Sequence, residues 1–150
     1  MSGENDLIKL YSTRILALAA DIPNLERLSA PDATVKKRAP LCGSTVTVDL
    51  RMLDGKISEF GQDVKACALG QASASVFGAA VLGRTKDEIV TARNQLKQML
   101  TQEGAVPDAP FEDFEVLIPA RAFKNRHASI MLSLEATVEA IEQISRENCA

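Results

Sequence analysis

Asp54-Gly55 limits the folds open to this chain more than any other pair in it. Before the pair, Val46, Val48, Leu50 and Met52 alternate with polar residues, and after it runs Ile57 to Val64. Asp-Gly between two such runs is the strongest short-range signal for a tight hairpin turn, because both central residues must take positive φ. A hairpin over Thr45–Leu53 and Lys56–Val64 follows. Its outer ends lie side by side, and each carries a cysteine: Cys42, within Pro40-Leu41-Cys42-Gly43-Ser44, and Cys67. Two thiols far apart in sequence become neighbours at one sheet edge, the geometry of a two-thiolate site.

The rest of the chain supplies helices to cover that sheet. Leu7, Ile8, Tyr11, Ile15, Leu18 and Ala19 recur at helical spacing, so residues 5–20 read as an amphipathic helix ended by Asp21-Ile22-Pro23-Asn24. Ala33 to Ala39 reads as a short strand carrying Lys36, Lys37 and Arg38. That trio is either the charge guard of an edge strand or a contact surface for an acidic partner. After Cys67 comes a small, apolar, hydroxyl-rich run, Ala68 to Ala80, which reads as a buried helix broken by Gly83. Cys67 stands at its N-terminus, where exposed N–H groups favour a thiolate. Thr85-Lys86-Asp87-Glu88 has capping-box spacing for a further helix with Ile89, Leu96 and Leu100 on its apolar side. A loop covers Gly104 to Pro110, and Phe111, Phe114, Leu117 and Ile118 pack a short turn onto the core. Ile130, Met131, Leu134, Val138, Ile141 and Ile144 mark the last helix, and Glu147 to Ala150 reads as a frayed tail.

With 150 residues, no repeat and no linker, residues 1–150 read as one domain of α+β class. The sheet is small and antiparallel, with about three strands, and helices cover mainly one face. A net charge of −3 argues against a nucleic-acid surface. Apolar runs fall short of the roughly 20 residues of a membrane span, and Met-Ser-Gly-Glu-Asn-Asp is no export signal, so a cytoplasmic protein is expected. Three cysteines in that setting point to metal or thiol chemistry.

Phosphate-binding glycine patterns are absent, and a single histidine with no convincing serine or cysteine partner nearby in sequence argues against a hydrolytic triad. A soft site remains: Cys42, Cys67, the lone His127, and an oxygen from Ser44 or Asp63. Thiolate with imidazole suits zinc or iron–sulfur chemistry. Buried, inert cysteines are the alternative, as is a surface His127.

Leu41-Cys42-Gly43-Ser44, the hairpin, and Ala66-Cys67-Ala68-Leu69-Gly70-Gln71-Ala72-Ser73-Ala74-Ser75 together resemble the NifU/IscU-type iron–sulfur cluster scaffold. Leu10-Tyr11, Pro23-Asn24 and Gly83-Arg84-Thr85 extend the likeness, and Pro119-Ala120-Arg121 with its long spacing resembles the SufU branch. The resemblance implies a scaffold or carrier, not an ordinary enzyme, holding iron or a transient iron–sulfur cluster on Cys42 and Cys67. A cysteine desulfurase would deliver sulfur, and apo-proteins would receive the cluster. It also implies ligand departures. Ser44 stands where the family has aspartate, and His127 or Ala128 stands at its third cysteine, which makes His127 the expected third metal ligand, with Ser44 at the aspartate position. Cys149 reads as an exposed tail thiol. A zinc-bound sulfur acceptor and a degenerate interaction module of the same fold are the alternatives.

Overall fold

The structure, a computed structural model, describes residues 12–149. Helix α1, Thr13–Ala20, opens it, with the Ser12 hydroxyl accepting from the Ile15 N–H. The part of the expected first helix before Ser12, with Leu10-Tyr11, lies outside the described residues. Strands β1 (Ala33–Arg38), β2 (Thr45–Leu53) and β3 (Lys56–Lys65) form one antiparallel sheet in the order β1-β2-β3. The β2–β3 turn is the expected one: Asp54 and Gly55 take φ of 55° and 77°, and Leu53 pairs with Lys56. Helices α2 (Ala68–Ala80) and α3 (Lys86–Thr101), a 3-10 stretch Glu112–Ala122, a single turn Lys124–Arg126 and helix α4 (His127–Cys149) complete the chain. The Thr85/Glu88 capping box is present in full at the start of α3. The tail expected to fray continues α4 instead, as far as Cys149.

Strand alternation gives the sheet two different faces. Val46, Val48 and Leu50 of β2 and Phe60 of β3 point to the helical side and are buried. Stacked rings carry the core outward from there: Phe60 meets Phe77 of α2 edge-on at 5.9 Å, Phe77 meets Phe111 at 5.7 Å, and Phe111 meets Phe114 at 6.3 Å. Helix α2 is buried nearly all round, and hydroxyls tie it to its neighbours. Ser73 donates to the Ile130 carbonyl at 2.6 Å and Ser75 to the Asp21 carbonyl at 3.3 Å. Gln62 points into the same core, where it donates to the Ala74 carbonyl at 3.1 Å and accepts from Ser133 at 3.2 Å, so the buried amide is satisfied.

The segment 21–32 crosses the other face as a strap. Its backbone runs so close to β3 that a Cβ at Gly61 would overlap the Glu26 carbonyl oxygen. Asn24 fastens it at two points: its carbonyl accepts from the Gln62 N–H at 2.8 Å, and its side chain donates to the Gly78 carbonyl at 3.0 Å. Beneath the strap lies Asp49 of β2, a fully buried carboxylate. It accepts from the Arg27 guanidinium, the Thr34 hydroxyl and the Leu28 N–H. Burial alone would raise the Asp49 carboxyl, but these donors outweigh it and hold the group below the ordinary carboxylate range.

Candidate thiol site at the end of the sheet

Both cysteines lie at the same end of the sheet. Arg38, Thr45 and Lys65 stand in one row across it. The Ala39–Ser44 connection leaves that row on one side, and the turn into α2 leaves it on the other. The connection is closed by bonds from the Ala39 N–H to the Ser44 carbonyl and from the Gly43 N–H to the Ala39 carbonyl, both 2.8 Å. Gly43 takes φ of +72°, the left-handed conformation that glycine adopts without a Cβ penalty. The outcome is an exposed Cys42 beside a buried Ser44. Cys67 is the N-cap of α2, and its carbonyl accepts the Gln71 N–H at 2.9 Å.

Two hydroxyls join the thiols. Ser129, in the first turn of α4 and buried, donates to Ser44 Oγ at 3.0 Å. Ser44 Oγ lies 3.3 Å from Cys42 Sγ and donates to it when Cys42 is ionised, because a thiolate can only accept. Ser129 Oγ is left to accept from the Cys67 S–H at 3.7 Å. The four groups form one hydrogen-bonded chain, from Cys67 through Ser129 and Ser44 to Cys42. The Cys42 thiol accordingly sits below its ordinary value. The Ser44 hydroxyl is the largest cause, followed by the Ser44 backbone N–H, with smaller help from Ser129 and the charge of Arg126 against a desolvation cost. Ser44→Ala is therefore expected to raise the Cys42 pKa and to slow its alkylation at neutral pH. An ultraviolet thiolate titration of the variant checks this, and an unmoved midpoint refutes the Ser44 contribution.

Ser129 is the residue that the sequence reading missed. It reaches the cysteines because Gly70 of α2 lacks a side chain: a Cβ there would lie 2.5 Å from Ser129 Oγ. A signal for it exists. Ser129, Ser133 and Thr137 recur every fourth residue of α4 and are all buried, a hydroxyl stripe facing inward.

His127 is placed elsewhere. Its Nε2 bonds the Ala120 carbonyl at 2.9 Å, which fixes the proton on that nitrogen, and its ring lines a groove beside Leu100 and Thr101. Ala128 lines the same groove. Successive helical residues point about 100° apart, so only one of these neighbours can face the thiols, and that one is Ser129. His127, the expected third ligand, makes its hydrogen bond to Ala120, while Ser129 bonds toward the thiols. Asp63 pairs with Thr47 in the sheet and makes no bond to either thiol. Among the described residues no three His, Cys, Asp or Glu side chains converge as a metal site. The described chain thus offers two thiols and two hydroxyls, half the donors of a closed tetrahedral thiolate–imidazole centre. The side chain of Cys149 is outside the described ones.

No family model matches the sequence. Among solved structures the chain is similar to the N-terminal part of a nitrogen-fixing NifU-like protein from Brucella abortus. The two are 42% identical, with a TM-score of 0.91, and the match covers 94% of this chain and 98% of that one. A putative iron–sulfur cluster assembly scaffold protein for the SUF system, from Fervidobacterium islandicum AW-1, shares the fold. It is 19% identical with a TM-score of 0.77, over 89% of this chain and 97% of that one. The iron–sulfur cluster assembly scaffold protein IscU of Streptococcus pyogenes serotype M1 is 23% identical over 109 residues, which is 73% of this chain and 69% of that protein. Among the described residues no helix is long and apolar enough to cross a membrane.

Proposed function

The chain belongs to the NifU/IscU-type family of iron–sulfur cluster assembly scaffolds, and from that premise we propose that Cys42 and Cys67 are the point at which it takes up and hands on its cargo. The cargo is iron with sulfide, or the assembled cluster. A cysteine desulfurase supplies the sulfur and apo-proteins receive the product. The observation that carries this reading is the hydroxyl chain linking the two thiols at one end of the sheet.

The donor set decides what kind of scaffold this is. Neutral serine hydroxyls are poorer ligands than a carboxylate or a thiolate. Two thiolates hold iron or cluster, and the remaining coordination positions are filled by the cargo's own sulfide or by the partner. Such a site favours transit over storage.

Anaerobic reconstitution with ferrous iron and sulfide, followed by assay of both, tests the proposal. Iron with acid-labile sulfide supports the scaffold. Stoichiometric zinc and no cluster would instead support a zinc-bound sulfur acceptor, and neither would leave an interaction module of the same fold. Ser129→Cys and Ser44→Asp are each expected to tighten metal binding about tenfold or more in chelator competition, since each adds an ionised donor at the thiols. Ala128→Cys, in the groove, is expected to leave affinity unchanged. Tightening by Ala128→Cys but not by Ser129→Cys would remove Ser129 from the site.

A further inference from the structure

We infer that the groove between the end of α3 and the start of α4 docks an acidic, apolar-anchored segment of the protein that exchanges sulfur with Cys42. The inference rests on the transfer reading of Cys42. The groove has an apolar floor, Leu100, Met131 and Leu132, and a cationic rim, Lys37, Arg38 and Lys97. Past His127, which walls both parts, it continues to Lys124.

Of the acids beside the groove, Glu139 holds Lys37 at 3.4 Å and Glu135 holds Arg93 at 3.1 Å, while Glu103 lines the part that continues to Lys124. Arg38, Lys97 and Lys124 make no ion pair among the described residues. A chain of net charge −3 thus presents a positive rim at this one groove, which selects and steers a negatively charged partner. Arg38 connects the groove to the thiol site. It lines the groove, and its guanidinium lies 3.9 Å from where a Cβ of Gly43 would be. Beside Cys42, Leu41 is 80% exposed, an apolar side chain free to meet a partner that reaches the thiol. A segment seated on the floor with its acids against the rim would bring its reactive sulfur to Cys42.

Peptide disulfides test this directly. The probe is a short peptide alternating glutamate and leucine, its terminal cysteine held as a mixed disulfide with thionitrobenzoate. The Cys42 thiolate attacks the peptide sulfur, a Cys42–peptide S–S bond forms, and the old S–S bond breaks with its electron pair leaving on coloured thionitrobenzoate. Mass spectrometry of the digest locates the adduct. At ~20 mM salt this peptide is expected to react about tenfold faster than its lysine–leucine counterpart, and most of that advantage is expected to vanish by ~300 mM. Replacing leucine by serine in the probe is expected to slow the reaction. Lys97→Glu is expected to abolish the advantage while leaving the rate with neutral dithiodipyridine unchanged. Equal rates for the two charged peptides, an advantage that survives Lys97→Glu, or an adduct on Cys67 each overturn the inference. Metal loading separates the two readings: a protein that assembles a cluster but shows no charge preference keeps the scaffold role and loses the groove.

Discussion

Asp49→Ala is expected to lower the free energy of unfolding by about 3 kcal/mol, because it removes several charge-assisted hydrogen bonds accepted by one buried carboxylate, each worth about 1.5–3 kcal/mol. In a chain of this size that is a fall of about 10 °C in melting temperature. The substitution leaves the Arg27 guanidinium, the Thr34 hydroxyl and the Leu28 N–H without their shared acceptor, so the strap loses its attachment to β2. Arg27→Ala is expected to cost less, because the Arg27 side chain is 52% exposed and two donors remain for the carboxylate. The effect has a pH signature. The folded-state pKa of Asp49 is depressed, so its stabilisation is fully present above the unfolded-state value of ~3.9 and is lost as pH falls through the lower folded value. Urea unfolding of wild type and Asp49→Ala should show a constant gap from neutral pH down to about pH 5, closing under stronger acid. A gap that stays constant into strong acid would show that the loss comes from packing and not from the charge.

Cys42→Ser or Cys67→Ser alone is expected to weaken cluster or zinc retention by about a hundredfold or more, because thiolate is the donor these metals select. The double variant is expected to be no worse than either single one, since a shared site fails once with its first missing thiolate. Stability should barely move: Cys42 is exposed and Cys67 is half-buried at a helix cap. Iron, sulfide and zinc assays beside thermal melts check both halves. Retained metal in either single variant, or losses that add in the double, would mean that the two cysteines serve separate sites.

The periodic parts of this fold were legible in the sequence. Asp54-Gly55 set the hairpin, Thr85 and Glu88 set the start of α3, and the small-residue run after Cys67 marked the helix buried between sheet and neighbours. Those signals are local, so the residues that carry them need no knowledge of the rest of the chain. Asp49 was not legible. Strand alternation places it on the face away from the helices, and only the strap, which has no periodicity of its own, turns that face into a buried one. Ser129 was hidden for a related reason. Whether residue 127, 128 or 129 faces the thiols depends on the rotation of α4 about its axis, and the close approach at Gly70 fixes that rotation from another helix. The resemblance to the scaffold family directed attention to Cys42 and Cys67 and to residues 127 and 128, and the side chain that bonds toward both thiols is the next one along, Ser129.

The bridge between the thiols also sets an order of events during synthesis. Cys42 and Cys67 come side by side as soon as three consecutive strands pair, a local process. The Ser44–Ser129 bond closes a separation of 85 residues, and Cys67–Ser129 one of 62. Contacts of that range form late, after the intervening chain has collapsed. A half-made chain therefore presents Cys42 with its local Ser44 partner before any hydroxyl links that pair to Cys67. Only completion of α4 brings in Ser129 and joins Cys67 to that pair, so a closed relay between the thiols reports that the last helix is in place.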